Sequence, residues 1–173
     1  RGLGDVYKRQ LPYCVMHWQT DTFGDAAGAS YSDSDIIGKV VGDLQVLVER
    51  ALAVGVEERN IVLDPGLGFA KTRNQDWELL RGLPYFVNSG FPVLVGASRK
   101  RFLGELLAHA DPRYTPATPP EPVERDLATA VVSAICGYNG VWCVRVHDVP
   151  STVQALVVQR AWQLGHNPFG REQ

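Results

Sequence analysis

Short apolar runs and amphipathic stretches alternate along this chain. The runs are four, at residues 13–17, 60–64, 92–96 and 141–147, and helical patterns lie between and after them. Such alternation is the main sequence signal of a parallel sheet built from strand–helix units. Because the runs are apolar nearly throughout, we expect both faces of each strand to be covered.

The predicted helices follow from spacing and from cap residues. In the stretch 33–56, Ile36, Val40 and Leu44 begin a series at steps near 3.6 that continues through Leu47, Val48 and Leu52, and Asp33, Ser34 or Asp35 can serve as N-cap. Further patterns predict a helix over 74–83, a helical turn over 102–108, and helices within 124–140 and 150–162. The segment 109–124 holds five prolines in sixteen residues and is predicted to be a surface loop.

Four strand–helix units predict an α/β fold, which can be half of a barrel or a small open sheet. Residues 1–10, "RGLGDVYKRQ", have no initiator Met and no clear period, so we expect an unrelated or truncated leader there. The segment 11–165 is expected to form one partial domain without a linker, and 166–173 a frayed tail.

Charge and cysteine usage narrow the choice of partners. Seventeen basic and 19 acidic residues give a net charge of −2, which argues against binding to nucleic acid or acidic membranes and favours a small molecule. The three cysteines lack metal-ligand spacing, so we expect buried thiols in a reducing cytoplasm. No stretch approaches the roughly 18 apolar residues of a transmembrane helix.

Polar groups stand where each apolar run ends, which is where α/β folds place their sites. "IVLDPGLGFAKT" ends its run on Asp64, whose carboxylate can accept two parallel hydrogen bonds from an amidine-like edge of a ligand. The alternative is that Asp64 only caps the turn at Pro65–Gly66. Met16 can form an apolar wall for a flat ligand or belong to the core, and His17 is a weaker candidate.

The last two run endings carry cations. Arg145 and His147 are two residues apart, so on a strand they would share one face and form an anion clamp; the alternative is a salt bridge to Asp148 or Asp126. Lys100 follows "GAS", where Gly96 lets backbone approach a ligand closely. Of the triplet 99–101, at most two cations can face a site, and a solvated surface is the alternative.

Five stretches together resemble the dihydropteroate synthase family, the pterin-binding barrel enzymes of folate biosynthesis. They are "VMHWQT", "IVLDPGLGFAKT", "PVLVGASRKRFLG", "ERDLATAVVSA" and "VWCVRVHDV", in the family's order and spacing over residues 11–162. The resemblance implies the C-terminal half of a TIM (β/α)8 barrel. It also implies a transferase that joins 6-hydroxymethyl-7,8-dihydropterin diphosphate to p-aminobenzoate, with Mg²⁺ as a helper and a homodimer as the full-length state.

The resemblance also implies roles for particular residues. Asp64 would bind the amino-pyrimidinone edge of the pterin, Lys100 its ring, and Arg145 with His147 the diphosphate. The remaining family positions are Met16 and Phe69 in the pterin pocket, and Ser98 and Arg101 near the entry of p-aminobenzoate.

The family's metal-holding Asn loop and two further pterin-binding residues have no match here. We therefore expect a chain that is inactive alone and that carries no protein ligand for Mg²⁺. Two other interpretations remain open: a pterin-binding methyltransferase domain, and a non-catalytic homologue that binds or regulates a partner.

Overall fold

A computed structural model of the protein describes residues 11–18 and 35–170. The chain divides into two compact units, Arg1–Val95 and Gly96–Gln173. The predicted leader at 1–10 and the cap candidates Asp33 and Ser34 lie outside the described residues.

Parallel strands form the centre of the first unit. Strand β1 (Tyr13–Met16) pairs with β2 (Ile61–Asp64), with Tyr13 opposite Ile61 and Met16 opposite Asp64. On the other edge of β2, the N–H of Leu63 donates to the carbonyl of Pro92 at 2.8 Å, and the chain continues into the two-residue strand β3 (Leu94–Val95). The register places the carboxyl ends of β1 and β2 side by side.

Helix α1 (Ile36–Ala53) covers this sheet with one apolar face. Of the cap candidates, the structure shows Asp35 accepting from the N–H of Gly38 at 2.8 Å. The buried residues of α1 are Ile36, Val40, Leu44, Val48 and Ala51. Leu52, which the spacing placed on this face, is exposed, since the smaller Ala51 lies at the buried position of the last turn.

Two helices follow β2 where the sequence predicted one. Helix α2 (Arg73–Arg81) begins at a capping box formed by Thr72 and Gln75. Gly82 ends it, and a second short helix, α3 (Leu83–Val87), starts at once with a proline in its first turn. Leu83 and Phe86 of α3 are buried in the core of the first unit.

The second unit is mostly helical. Its elements are α4 (Arg101–Ala110), α5 (Asp126–Tyr138), the two-residue strand β4 (Cys143–Val144) and α6 (Val149–Leu164). Helix α4 is a full helix rather than the predicted turn over 102–108. Helices α5 and α6 pack closely at Gly137, where a Cβ atom would lie 2.9 Å from Cδ2 of Leu156.

Burial of the strands differs from the expectation in one respect. All four residues of β2 are buried, whereas β1 alternates and leaves Cys14 exposed. The expectation of three buried thiols is therefore wrong for Cys14, which points away from the buried face that Val15 occupies. Cys136 is buried, and burial raises the pKa of its thiol to about 12. None of the described helices is long and apolar enough to cross a membrane.

Candidate functional site

Asp64 ends the buried strand β2 and begins a tight turn. Its side chain is 1% exposed, and its Oδ1 accepts from the N–H of Gly66 at 2.8 Å. The backbone N–H of His17 donates to the carbonyl of Asp64 at 2.9 Å, which extends the ladder one step past β1. Asp64 thus does cap its turn, and a carboxylate with about four acceptor positions retains capacity for ligand donors as well.

The loop after Asp64 has an unusual backbone. Gly66, Gly68 and Ala70 all have positive φ, at 68°, 70° and 52°. A Cβ atom at Gly66 would overlap with the carbonyl oxygen of His17, so only glycine fits there. The N–H of Gly68 donates to Oδ1 of the buried Asp76 at 2.7 Å. These contacts explain why two glycines follow the carboxylate.

Phe69 packs against an aromatic residue that follows β1. Its ring lies against Trp18, with centroids 5.2 Å apart and the planes at 40°. Met16, on the last position of β1, is partly exposed and lies opposite Asp64 in the strand register. Apolar side chains therefore stand beside the Asp64 carboxylate, as a site for a flat heterocycle requires.

Sequence reasoning missed a polar cluster beneath this loop. His17 is buried, and its ring joins Lys71 and Asp43, with Nδ1 3.0 Å from Nζ of Lys71 and Nε2 3.1 Å from Oδ2 of Asp43. The partners are 54 and 26 residues away in sequence. In the sequence, this cluster is visible only as a histidine after an apolar run and a lysine after two glycines. Neither pattern indicates which residue the side chain contacts.

In the second unit, Ser98 and His147 form a pair. The backbone N–H of His147 donates to Oγ of Ser98 at 3.2 Å, and the same Oγ lies 2.9 Å from Nδ1 of the ring. Oγ keeps a second lone pair as well as its own proton, so it can either donate to Nδ1 or accept from it. Either bond engages Nδ1 and leaves Nε2 as the ring nitrogen on the far side.

Arg145 lies flat against the backbone of Gly96. A Cβ atom at Gly96 would meet Nη2 of Arg145 at 2.8 Å and Nε at 3.2 Å. The guanidinium group of Arg145 therefore lies next to Gly96, and any side chain at position 96 would displace it. Both strands end before these residues, at Val95 and Val144, so the contacts with Gly96 and Ser98 hold Arg145 and His147 in place rather than strand pairing.

The three residues of the basic triplet 99–101 have different surroundings: the first forms an ion pair within the unit, and the other two lie at the start of α4. Arg99 has a positive φ of 59°, and its Nε and Nη2 each donate to Asp126 at 2.8 Å. The hydrogen bonds from Arg99 lower the pKa of Asp126. Lys100 is the N-cap of α4 and is half-buried, while Arg101 is exposed on its first turn. Asp126 therefore pairs with Arg99, a partner that the sequence analysis did not consider for it.

Comparison with known proteins shows the family. The model of the pterin binding enzymes matches residues 3–147. The chain belongs to the pterin-binding enzyme family. It is 45% identical to the dihydropteroate synthase of Mycobacterium leprae over 157 residues, which cover 91% of this chain and 53% of that protein.

Solved structures of the family agree with the fold. The chain superposes on Xanthomonas albilineans dihydropteroate synthase in complex with indole-2-carboxylic acid and 6-chloroguanine, with a TM-score of 0.77 and 32% identity. A second structure of that enzyme, in complex with 7,8-dihydropteroate, gives a TM-score of 0.75 and 30% identity. Each match covers 93% of this chain and 54% of the other.

These matches confirm the predicted fold class and the resemblance from which it came. The chain spans about half the length of the curated relatives it matches, 53% in the case of the M. leprae enzyme. The structures that it matches over about half their length are TIM barrels, so a half barrel of four strand–helix units is the fold of this pterin-binding enzyme chain.

Proposed function

We propose that this chain is part of a dihydropteroate synthase, which condenses 6-hydroxymethyl-7,8-dihydropterin diphosphate with p-aminobenzoate to give 7,8-dihydropteroate and diphosphate. The observation that carries the proposal is the likeness to dihydropteroate synthases, at 45% identity over 157 residues. The reported relatives are all synthases, so the comparisons do not favour a pterin-binding methyltransferase. A cytoplasmic location is part of the same proposal.

In this assignment the first unit recognises the pterin ring. Asp64 is buried and fixed by its turn, so its carboxylate is preorganised to accept the N–H groups of an amino-pyrimidinone edge. Met16 and Phe69 supply the apolar walls. In the second unit, Lys100 at the start of α4 is assigned to bond the ring.

The second unit also supplies the groups that bind the leaving diphosphate. Arg145 presents a planar fork held against Gly96, and we assign Nε2 of His147 as the second donor, since Ser98 engages Nδ1. As the aniline nitrogen attacks the methylene carbon, the carbon–oxygen bond to diphosphate breaks and negative charge grows on the leaving oxygen. Both donors stabilise that charge. Ser98 and Arg101 are the proposed neighbours of p-aminobenzoate.

The family implies Mg²⁺, which would help to neutralise the diphosphate when bound. Among residues 11–18 and 35–170, no three His, Cys, Asp or Glu side chains come together in a group that could hold a metal ion. The residues described here do not fit a metal site by themselves, so we assign no ligand from them. The steps above involve only this chain's own side chains.

We expect the 173-residue chain to show no synthase turnover alone. A matched form is this chain joined behind the N-terminal half of the M. leprae enzyme, called here the restored barrel. Formation of dihydropteroate from the two substrates should be found only in the restored barrel, because the chain alone spans about half of its relatives.

One outcome would contradict the expected inactivity, and another would contradict the proposed function. Turnover by the 173-residue chain would show that the expectation of inactivity is wrong. A restored barrel that is folded and binds pterin but forms no dihydropteroate would indicate the non-catalytic homologue instead. Circular dichroism and thermal melting of both forms would distinguish loss of chemistry from loss of fold.

We further propose a homodimer formed through α5 and α6. Each helix carries exposed apolar residues at one-turn spacing, which a monomer rarely leaves uncovered over a large area. The residues are Leu127, Val131, Ile135 and Tyr138 on α5, and Val149, Val153 and Val157 on α6. Trp162, near the end of α6, is also exposed.

Replacing Ile135 by Glu should weaken this dimer. Burying an unpaired carboxylate costs several kcal/mol, so we expect the dissociation constant to rise by roughly 10- to 100-fold. Sedimentation velocity of the restored barrel measures it. Val123→Glu is the matched control, because Val123 is also exposed but lies outside the two helices. A parent protein that sediments as a monomer at micromolar concentration would contradict the proposal.

A further inference from the structure

The ammonium of Lys71 lies within the loop that connects β2 to α2. It donates to the carbonyl oxygens of Gly66 and Phe69, at 2.9 and 3.0 Å, and it lies 3.0 Å from Nδ1 of His17. One side chain thus connects the start and the centre of the loop to the residue that follows β1.

These contacts determine the tautomer of His17. An ammonium can only donate, so Nδ1 must offer its lone pair to Lys71 and the ring proton must lie on Nε2. Nε2 faces Oδ2 of Asp43 at 3.1 Å, which is the acceptor that such a proton requires. Burial, and then the charge of Lys71, lower the pKa of His17 below its ordinary value of 6.5, so the ring is neutral at pH 7.

The far side of the ring is held by a second lysine. Lys39 donates to Oδ1 of Asp43 at 2.7 Å and is itself half exposed. Burial raises the pKa of Asp43, but the hydrogen bonds from Lys39 and His17 together lower it by more, so the net shift of the pKa is downward. Within the part of the chain that the structure describes, Lys71 lies on one side of the His17 ring, and Asp43 with Lys39 lies on the other.

The loop that Lys71 spans needs such support. Ala70 keeps a positive φ although it carries a Cβ, and Gly66 and Gly68 are also left-handed. A backbone of this kind persists only where its surroundings hold it. The two carbonyl groups that Lys71 binds, those of Gly66 and Phe69, lie within this stretch, which begins after Asp64 and ends at Lys71.

We propose that Lys71 is a positioning residue. Through its contact with the ring of His17 and its two bonds to loop carbonyls, it holds the loop so that Asp64 and Phe69 keep their pterin-binding geometry. The proposal deepens the proposed function and rests on it for the identity of the ligand. The loop's dependence on Lys71 is a property of the chain alone, and it can be measured without any ligand.

The first test is amide hydrogen exchange on the 173-residue chain with Lys71→Met. The amides of Gly66, Gly68 and Phe69 report the loop, because each makes a hydrogen bond inside it or to α2. Removing hydrogen bonds from a charged donor should lower their protection factors about tenfold or more. Lys39→Met is the matched control, since it removes the other lysine of the cluster and should change them less than about twofold.

Two variants of His17 separate positioning from mere packing. His17→Asn keeps an acceptor near the place of Nδ1 and should preserve most of the loop's protection. His17→Gln places its amide nearer to Nε2, which keeps the contact with Asp43 but loses the one with Lys71, so it should resemble Lys71→Met. Equal protection in both variants would overturn the proposal.

The pH dependence supplies a further readout. A proton on Nδ1 would abolish the acceptor that Lys71 needs. Burial and the charge of Lys71 lower the pKa of His17 in the closed loop, so opening the loop becomes more favourable as the pH falls below 6.5, the ordinary value of His17. Loop protection in the parent should therefore decline on acidification, and the decline should be smaller in Lys71→Met, which removes that charge but leaves the ring buried. Protection that is unchanged by Lys71→Met at pH 7 would show that the lysine does not hold the loop.

The same variants in the restored barrel test the link to ligand. Binding of pteroic acid should weaken about tenfold in Lys71→Met and remain within about twofold of the parent in Lys39→Met. If exchange changes but pteroic acid binds neither parent nor variant, the loop inference holds and the proposed function fails. If exchange is unchanged, the inference fails whatever the binding.

Discussion

Asp64→Asn should weaken the affinity of the restored barrel for the pterin substrate by roughly 100-fold or more. The substitution removes the negative charge, and it sets the NH₂ of the amide, a donor, against the N–H donors of the ligand. The amide oxygen can still accept the N–H of Gly66, which the carboxylate accepts at 2.8 Å. The turn is therefore expected to persist while the amide NH₂ points toward the ligand. Isothermal titration with pteroic acid would measure the loss.

Asp76→Asn is the control for this experiment. Asp76 is also buried, also accepts a loop N–H, that of Gly68 at 2.7 Å, and loses the same charge in the same unit. We expect its affinity to stay within about threefold of the parent, because an amide oxygen can replace the carboxylate as the acceptor of the Gly68 N–H. If the two variants bind equally well, Asp64 is only a turn cap, as the alternative interpretation of the sequence holds.

Elements with a strong local period could be predicted from the sequence. The spacing of Ile36, Val40 and Leu44 identified α1, and the alternation of apolar runs with helices identified the α/β fold. The short helix α3 was missed, because five residues carry too little periodicity to be distinguished from a loop. Strands β3 and β4 were predicted too long, since an apolar run does not show where hydrogen-bonded pairing ends, and the run 141–147 has no buried residue.

The contacts within the candidate site could not be predicted from the sequence. Each strand ending was visible in the sequence, whereas the bond of Ser98 to His147 joins residues 49 apart and that of Arg99 to Asp126 joins residues 27 apart. The pattern of charges alone allowed Asp126 to pair with Arg145 as readily as with Arg99. The left-handed backbone of Arg99 aims its side chain at α5, and no local sequence signal encodes that direction.

Arg145→Glu is expected to have the second large effect, which is on the binding of diphosphate and on the rate of turnover. The guanidinium of Arg145 lies against Gly96, and a carboxylate at its place would repel the substrate's anionic end instead of binding it. Reversal of a charge in direct contact should lower kcat/KM of the restored barrel by roughly 1,000-fold, and binding of inorganic diphosphate should fall with it. Inhibition by diphosphate and steady-state rates would measure both quantities.

Arg160→Glu provides the comparison for the net charge. Arg160 lies on α6, where its Nη1 lies 3.4 Å from Oε1 of Gln163, and its reversal changes the total charge of the protein by the same two units. We expect rates within about twofold of the parent, because exposed charges far from a ligand are screened by salt. A third variant, Gly96→Ala, separates contact from charge: its Cβ would displace the guanidinium without altering any charge. Normal diphosphate inhibition in both Arg145→Glu and Gly96→Ala would remove the anion clamp from the mechanism and leave the charge of the leaving group to be stabilised by other residues.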